Sequence, residues 1–451
     1  MMEMLTNLVT QSGVGATQLS AILLGVLFLI MVIGLAAGQE LAFVLGGAGV
    51  VIGYLAWGGP GITIAMTKVY DQMQSYSMVA IPMFVLMANF LTHSKVADGL
   101  FLSIRYLLGP LKGGLGLAVI VVSTVFAATT GIVGASVVTM GMLSVPVLLK
   151  CGYKPSLACG MVCAGGSLGI LIPPSIMLVS MGSYANVSVG KIFFAAIVPG
   201  LVLSLFYMIY VFVICHIHPD YGPAMSAEEL AAMPLGERIT GSPVILIVGV
   251  LGSIFTGWAT PTEAAGVGAL FSLILAIFYK QFSFKMLYDS LIDTAKTSAM
   301  VFIILFGASA FTGIFMSLDG DQLIATWISS VGIGKWGAFA IMMAIVFVMG
   351  MFLDWLGIVM IVFPIFLPIM DMFGFDRLWI VAVTAVMLQT CFMTPPFGFA
   401  LFYIKGIVPP EVKIQEIYRG VIPFILIIIA VVVLVTIFPQ VVYFLPNLVA
   451  S

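Results

Sequence analysis

The sequence predicts an all-α polytopic membrane protein made of two similar halves that face opposite ways. Composition, the continuity of the apolar runs and a constant internal offset carry this prediction. Hydrophobic residues make up 62% of the 451 and charged residues only 8%, against roughly 25% charged in a water-soluble domain. The runs Ala21 to Ala37 and Gly420 to Phe438 are each long enough to cross a hydrocarbon core. They are continuous rather than alternating, which excludes barrel strands and leaves helices. A net charge of −2 without any basic run makes nucleic acid an unsuitable partner. The first 17 residues carry Glu3 and no Lys or Arg, unlike a cleavable signal peptide.

The offset is near 223. Glu40 matches Glu263 and Gly134 matches Gly357; at 222, Pro146 matches Pro368, Gly152 matches Gly374, and Pro173-Pro174 matches Pro395-Pro396. Pro199 matches Pro423 at 224. Two repeats, roughly 18–215 and 243–440, follow. The first supplies spans near 18–37, 40–58, 78–93, 157–186 and 191–215, and the second near 243–257, 263–280, 296–317, 378–403 and 420–446. Two further apolar stretches, 115–149 and 336–372, are interrupted at their middles and read as re-entrant helical hairpins. This makes about ten transmembrane helices plus two hairpins. Five crossings per repeat is odd, so the second repeat is inverted, an arrangement typical of secondary transporters.

Charge tests the orientation independently. With the N-terminus outside, twelve Lys and Arg fall on the cytoplasmic side and four (Lys68, Lys191, Lys335 and Arg377) on the other. Both termini are then periplasmic, in a multi-pass protein of the bacterial inner membrane. The stretches 62–77 and 281–296 mix charged and apolar residues and read as helices along the interface or as connectors. Loop 216–242 is the longest polar connection; Ser226 to Glu229 has a capping-box pattern, and His216 and His218 read as solvated. The five cysteines read as small apolar packing residues.

The double prolines are the sharpest motif. Gly165 to Ser175 contains Pro173-Pro174, and Thr390 to Gly398 contains Pro395-Pro396. Proline removes a backbone donor and clashes with the preceding turn, so both spans must unwind. At bilayer depth the freed carbonyls need a partner such as sodium, while the new helix N-terminus favours an anion. The hairpin tips are matched to these breaks. The first, Thr129 to Thr139, has glycines for the reversal and hydroxyls for a cation or carboxylate; the second, Gly350 to Gly357, carries Asp354, one carboxylate in a strongly apolar run. Asp354 reads as functional or as the cap of the following helix. Glu263 reads as a first-turn carboxylate at the positive end of a helix dipole.

Gly131 to Gly141, Gly166 to Ser175, Ala259-Thr-Pro-Thr-Glu-Ala-Ala265 and Thr394-Pro-Pro-Phe-Gly398 together resemble the large permease (DctM-type) subunit of TRAP transporters, over nearly the whole chain. The resemblance implies an ion-transporter architecture working as an elevator. Residues 1–112 and 216–335 would be scaffold, and 113–215 and 336–451 the moving transport domain. It implies coupling to about two Na+ ions, a small four-helix membrane subunit and a periplasmic substrate-binding protein that delivers an organic anion. One sodium site would take Gly134, Ser136, Gly169 and Pro173, and the other Gly350, Asp354, Thr390 and Thr394. Substrate would meet Ser136, Thr139, Ser175, Asp354 and Thr394. The family's usual Ser-Ser at the first tip is Ala135-Ser136 here. A stand-alone sodium–dicarboxylate symporter is the alternative. An intramembrane enzyme is disfavoured, because His93, His216 and His218 all lie in or near loops and no catalytic constellation sits in a span.

Overall fold

A computed structural model describes residues 16–93, 101, 104–130, 133–225, 252, 259–330 and 332–450. Every regular element among the described residues is helical. The order is α1 (Ala16–Ala36), α2 (Leu41–Trp57), α3 (Gly59–Met73), α4 (Ala80–His93), α5 (Gly114–Thr130), α6 (Val133–Lys150), α7 (Pro155–Ser167), α8 (Ile176–Ala185) and α9 (Val189–Ile217). Then come α10 (Pro261–Phe278), α11 (Phe284–Ser317), α12 (Gly320–Ser330), α13 (Lys335–Met349), α14 (Trp355–Met372), α15 (Arg377–Met387), α16 (Phe399–Lys405), α17 (Ile414–Ile437) and α18 (Gln440–Ala450).

The surface chemistry is that of a membrane protein. Helix α10 buries Ala264, Ala265, Gly268, Ala269 and Ser272 while leaving Leu270, Phe271 and Phe278 exposed. Small residues turned inward and large apolar ones outward invert the soluble pattern, because lipid is as apolar as leucine. Among the described residues, six helices are long and apolar enough to cross a membrane. The broken pairs α7–α8 and α15–α16 fall outside that count because each half is short. The expected span 243–257 lies outside the described residues except for Gly252, as does the capping pattern Ser226 to Glu229.

Three elements differ from expectation. The stretch 281–296 is not a separate interfacial helix: its residues run into α11, one helix of 34 residues. At 1.5 Å per residue that is about 51 Å, well beyond a hydrocarbon core of about 30 Å. Its first-half counterpart α3 does stand alone. The last span, expected as 420–446, divides into α17 and α18. Residue Phe438, held at φ −117 and ψ 75, precedes Pro439, and the proline ring disfavours helix in the residue before it. Finally, His216 is not in a loop but in the last turn of α9, with Nδ1 2.7 Å from the Phe212 carbonyl oxygen.

The chain forms two compact units. The first gathers the described residues within Met1–Tyr76, Thr297–Ile345 and Leu356–Arg377. Its helices approach closely where glycine allows. A Cβ on Gly307 of α11 would lie 2.3 Å from the Ala42 carbonyl oxygen of α2, and one on Gly49 would lie 3.0 Å from the Ala310 backbone. Phe28 packs edge-on against Phe311 and Phe315 at 5.9 and 6.0 Å.

The second unit gathers Ser77–Lys296, Val346–Trp355 and Leu378–Ser451. Helices α4 and α10 pack together, and so do α7 and α17. Helix α10 carries Glu263 in its first turn, as expected, and the structure adds a full capping box. The Thr260 hydroxyl accepts from the Glu263 amide at 3.3 Å, and the Glu263 carboxylate accepts from the Thr260 amide at 2.8 Å. After α9, residues 218–225 fold back over the feet of the first hairpin. The Gly113 amide donates to the Gly222 carbonyl at 2.9 Å, and the Lys154 amide to that of Tyr221 at 3.2 Å. The Lys154 ammonium pairs with Asp220 at 3.4 Å and lies 3.7 Å from the centre of the Tyr221 ring. Both feet of the hairpin are thereby held by one short segment.

Candidate functional site

All ten residues expected at the site fall within the second unit. The first break begins where α7 ends at Ser167. A 3-10 turn over Leu168–Ile170 follows, then a bent passage through the cis Pro173-Pro174 bond into α8. An α-helix satisfies the carbonyl of residue i with the amide of i+4. Prolines at 173 and 174 therefore remove the donors for the carbonyls of Gly169 and Ile170. The chain repairs one of these. Ser175 caps α8 by accepting from the Leu178 amide at 3.4 Å, and its hydroxyl donates to the Ile170 carbonyl. Gly169, Pro173 and Ser175 are all buried.

The second break has the same outline and different repairs. Helix α15 gives way to a 3-10 turn, Leu388–Phe392, and the chain reaches α16 through the cis Pro395-Pro396 bond. These prolines remove the i+4 donors for Cys391 and Phe392. At the position of Ser175 stands Phe397, 53% exposed, so no hydroxyl reaches back. The Thr390 carbonyl is heavily used: it accepts from the Met393 amide (3.1 Å), the Thr394 amide (2.9 Å) and the Thr394 hydroxyl (2.7 Å). The Thr390 hydroxyl donates to the Met387 carbonyl at 2.7 Å. A hydroxyl has one proton and two lone pairs, so both threonines, buried at 0% and 4% exposure, keep only acceptor capacity.

Each hairpin bears on a break. In the first half, Gly165 and Gly166 let the hairpin reach the end of α7. A Cβ on Gly165 would meet the Ser123 side chain of α5 at 2.6 Å, and one on Gly166 the Val137 side chain of α6 at 2.4 Å. Val137 adjoins Ser136, which is 1% exposed; Gly134 and Thr139 are half-buried nearby on α6. A Cβ on Gly134 would lie 3.1 Å from the Tyr403 ring of α16, so this tip also touches the second repeat. Residues Gly131 and Ile132 and the side chains of Thr129, Thr130 and Ala135 lie outside the described residues.

At the second hairpin, a Cβ on Gly350 would lie 2.9 Å from the Cys391 Cβ, placing the turn directly against 388–392. Asp354 is half-buried, immediately precedes α14, and acts electrostatically on the Cys391 thiol. That position suits both a helix cap and a ligand. Gly350, Asp354, Thr390 and Thr394 are thus brought to one locality, although 36 residues separate Asp354 from Thr390. Two nearby residues were not anticipated. Tyr403 touches the first tip only through the tertiary fold, whereas Gln389 was readable as a lone amide in an apolar run.

Residues 24–441 match the family described as tripartite ATP-independent periplasmic transporter, DctM component. The chain is 30% identical over 381 residues to the C4-dicarboxylate TRAP transporter large permease protein of Pseudomonas aeruginosa, covering 84% of this chain and 88% of that one. It is 29% identical over 436 residues to the ectoine/5-hydroxyectoine large permease of Ruegeria pomeroyi, covering 94% and 99%. To the sialic acid TRAP transporter permease of Haemophilus influenzae it is 27% identical, covering 86% of this chain and 62% of that one. Among solved structures, the YdaH transporter of Alcanivorax borkumensis superposes with a TM-score of 0.62 at 13% identity, covering 89% and 97%, which is a likeness of fold.

Proposed function

Because the chain belongs to the DctM large-permease family of tripartite ATP-independent periplasmic transporters, we propose that it is the sodium-coupled membrane subunit of an importer for a small organic anion. It is a transporter component, not an enzyme. It works in the bacterial inner membrane beside a small four-helix subunit, and a periplasmic binding protein delivers its substrate. Relatives named for C4-dicarboxylates, ectoines and sialic acid support the organic-acid class.

One observation carries the reading: two unwound helices, each beside a hairpin, lined by groups that accept and do not donate. Thr390 and Thr394 spend their protons on backbone carbonyls, and the prolines leave Gly169, Cys391 and Phe392 without their helical amides. Uncharged oxygen acceptors buried in a dry site suit an alkali cation, here the coupling ion, and repel an anion. The first site would use Gly134, Ser136, Gly169 and Pro173, and the second Gly350, Asp354, Thr390 and Thr394. The substrate carboxylate would meet bound sodium together with Ser136 and Thr139; Ser175 and Thr394, whose protons lie on backbone carbonyls, and the anionic Asp354 would reach it only through the ion. No Arg or Lys adjoins either tip, so sodium supplies the positive charge. Binding the anion would then require the cations first, which couples the two fluxes.

The second compact unit holds all ten residues, but it also takes in 77–112 and 216–296 and leaves 336–345 and 356–377 in the first unit, so the elevator reading rests on the family resemblance. On the elevator reading, segments 113–215 and 336–451 move against a scaffold of 1–112 and 216–335. Uptake into proteoliposomes, with the partner subunit and a loaded binding protein, should depend on a sodium gradient and rise sigmoidally, with a Hill coefficient of about 2. Equal uptake with potassium in place of sodium would reject the coupling. Ten crossings would bring both termini to one side, and the twelve-to-four split of Lys and Arg argues for the periplasm. A cysteine introduced at Ser451 should accordingly react with an impermeant reagent in intact spheroplasts; reaction only after lysis would reverse the orientation.

A further inference from the structure

We propose that Gln389 supplies an oxygen ligand to the cation held at the second helix break, an assignment that rests on the sodium reading above. Gln389 lies in the turn Leu388–Phe392, directly before Thr390, and is 0% exposed. It is the one amide side chain in the apolar run 378–403. Its Nε2 donates to the Ala385 carbonyl, one turn back, at 3.4 Å. A carbonyl oxygen can face only the donor end of an amide, so chemistry fixes the orientation of the side chain. The Oε1 atom is turned away, and it is buried without a hydrogen-bond partner among the described residues.

A buried amide oxygen with nothing to accept from is costly, whereas methionine or leucine would fill a similar volume without that cost. The oxygen therefore calls for an electropositive partner. Its neighbours make the same demand, since the hydroxyls of Thr390 and Thr394 have both given their protons to backbone carbonyls. A substrate carboxylate has no proton to offer any of the three. The repeat adds an independent observation: 222 residues earlier stands Ser167, 0% exposed, whose hydroxyl donates to the Ala164 carbonyl at 2.9 Å. Both breaks thus open on a buried polar side chain whose donor is anchored in its own helix and whose oxygen remains available.

The test is sodium titration of the thermal unfolding temperature of the detergent-solubilised full chain, with potassium as the control, followed by the sodium dependence of uptake. Gln389→Met should raise the sodium concentration needed for half-maximal stabilisation about tenfold, the loss expected for one buried polar ligand. In potassium alone its unfolding temperature should equal or exceed that of the wild type, because an unpartnered oxygen has been removed. Gln389→Glu, which keeps an oxygen at that position, should retain sodium-dependent stabilisation. A Gln389→Met variant with an unchanged sodium midpoint overturns the assignment. So does one whose defect is confined to substrate affinity at saturating sodium, which would assign Oε1 to a hydrogen-donating group of the substrate. A wild-type chain that sodium stabilises no more than potassium overturns the coupling reading itself, and this assignment with it.

Discussion

Asp354→Asn should abolish uptake while leaving membrane insertion, subunit assembly and the unfolding temperature in potassium unchanged. The residue sits immediately before α14, half-buried, beside the turn at Cys391. A carboxylate there can cap the helix, ligate sodium, or do both. Asparagine is about as good a cap as aspartate, so a purely structural residue tolerates the change. A ligand does not tolerate it, because the negative charge that offsets the cation is lost. Charge-assisted bonds contribute about 1.5–3 kcal/mol, which corresponds to a loss on the order of 10- to 150-fold in sodium affinity. With a sodium gradient near physiological strength, that loss stops transport. Near-normal uptake by the variant would assign Asp354 to capping and leave Thr390 and Thr394 to hold the second ion. Asp354→Ala is the poorer experiment, since it removes cap and charge together.

Gly420→Val should destabilise the fold sharply. Helices α7 and α17 cross with their backbones nearly touching. A Cβ on Gly420 would lie 2.0 Å from the Ser156 carbonyl oxygen, and one on Gly160 would lie 2.3 Å from the Gly420 carbonyl oxygen. Both obstacles are backbone, so no side chain can rotate aside and the helices must separate. Overpacking of this kind costs about 2–3 kcal/mol, and α7 leads straight into the first break. The unfolding temperature should drop sharply, and sodium-dependent stabilisation should go with it. Gly266→Ala on α10 is the matched control: a Cβ there meets nothing within 4 Å, and alanine favours helix by about 1 kcal/mol. Comparable unfolding temperatures for Gly420→Val and Gly266→Ala would show that α7 and α17 do not cross at these glycines.

The breaks and hairpins were legible because their causes are local. A proline pair removes the same two amides wherever it stands, and glycine with short polar residues ends a helix without help from elsewhere. Hence α5 and α6, α13 and α14, and both interrupted spans lie where the sequence predicted, and Glu263 stands in the first turn of its helix. Other features depended on competition between neighbouring signals. Residues 281–296 carry enough charge to resemble an interfacial helix, yet nothing in them stops the helix that follows, and α11 runs through. Pro439 ends α17 at Phe438, although Pro146, Pro199 and Pro423 sit inside helices without ending them. What the sequence determined alone was therefore the solvent, the helices, the two-fold repetition and the places where the chain must unwind. Only the tertiary structure decided which distant groups meet: Gly134 with Tyr403 and Gly350 with Cys391. It also decided which polar atoms are already satisfied, because hydrogen-bond partners depend on the path of the whole chain and on where each proton is directed. That count leaves the oxygen of Gln389 without a partner among the described residues, while the hydroxyl of Ser175 both donates and accepts.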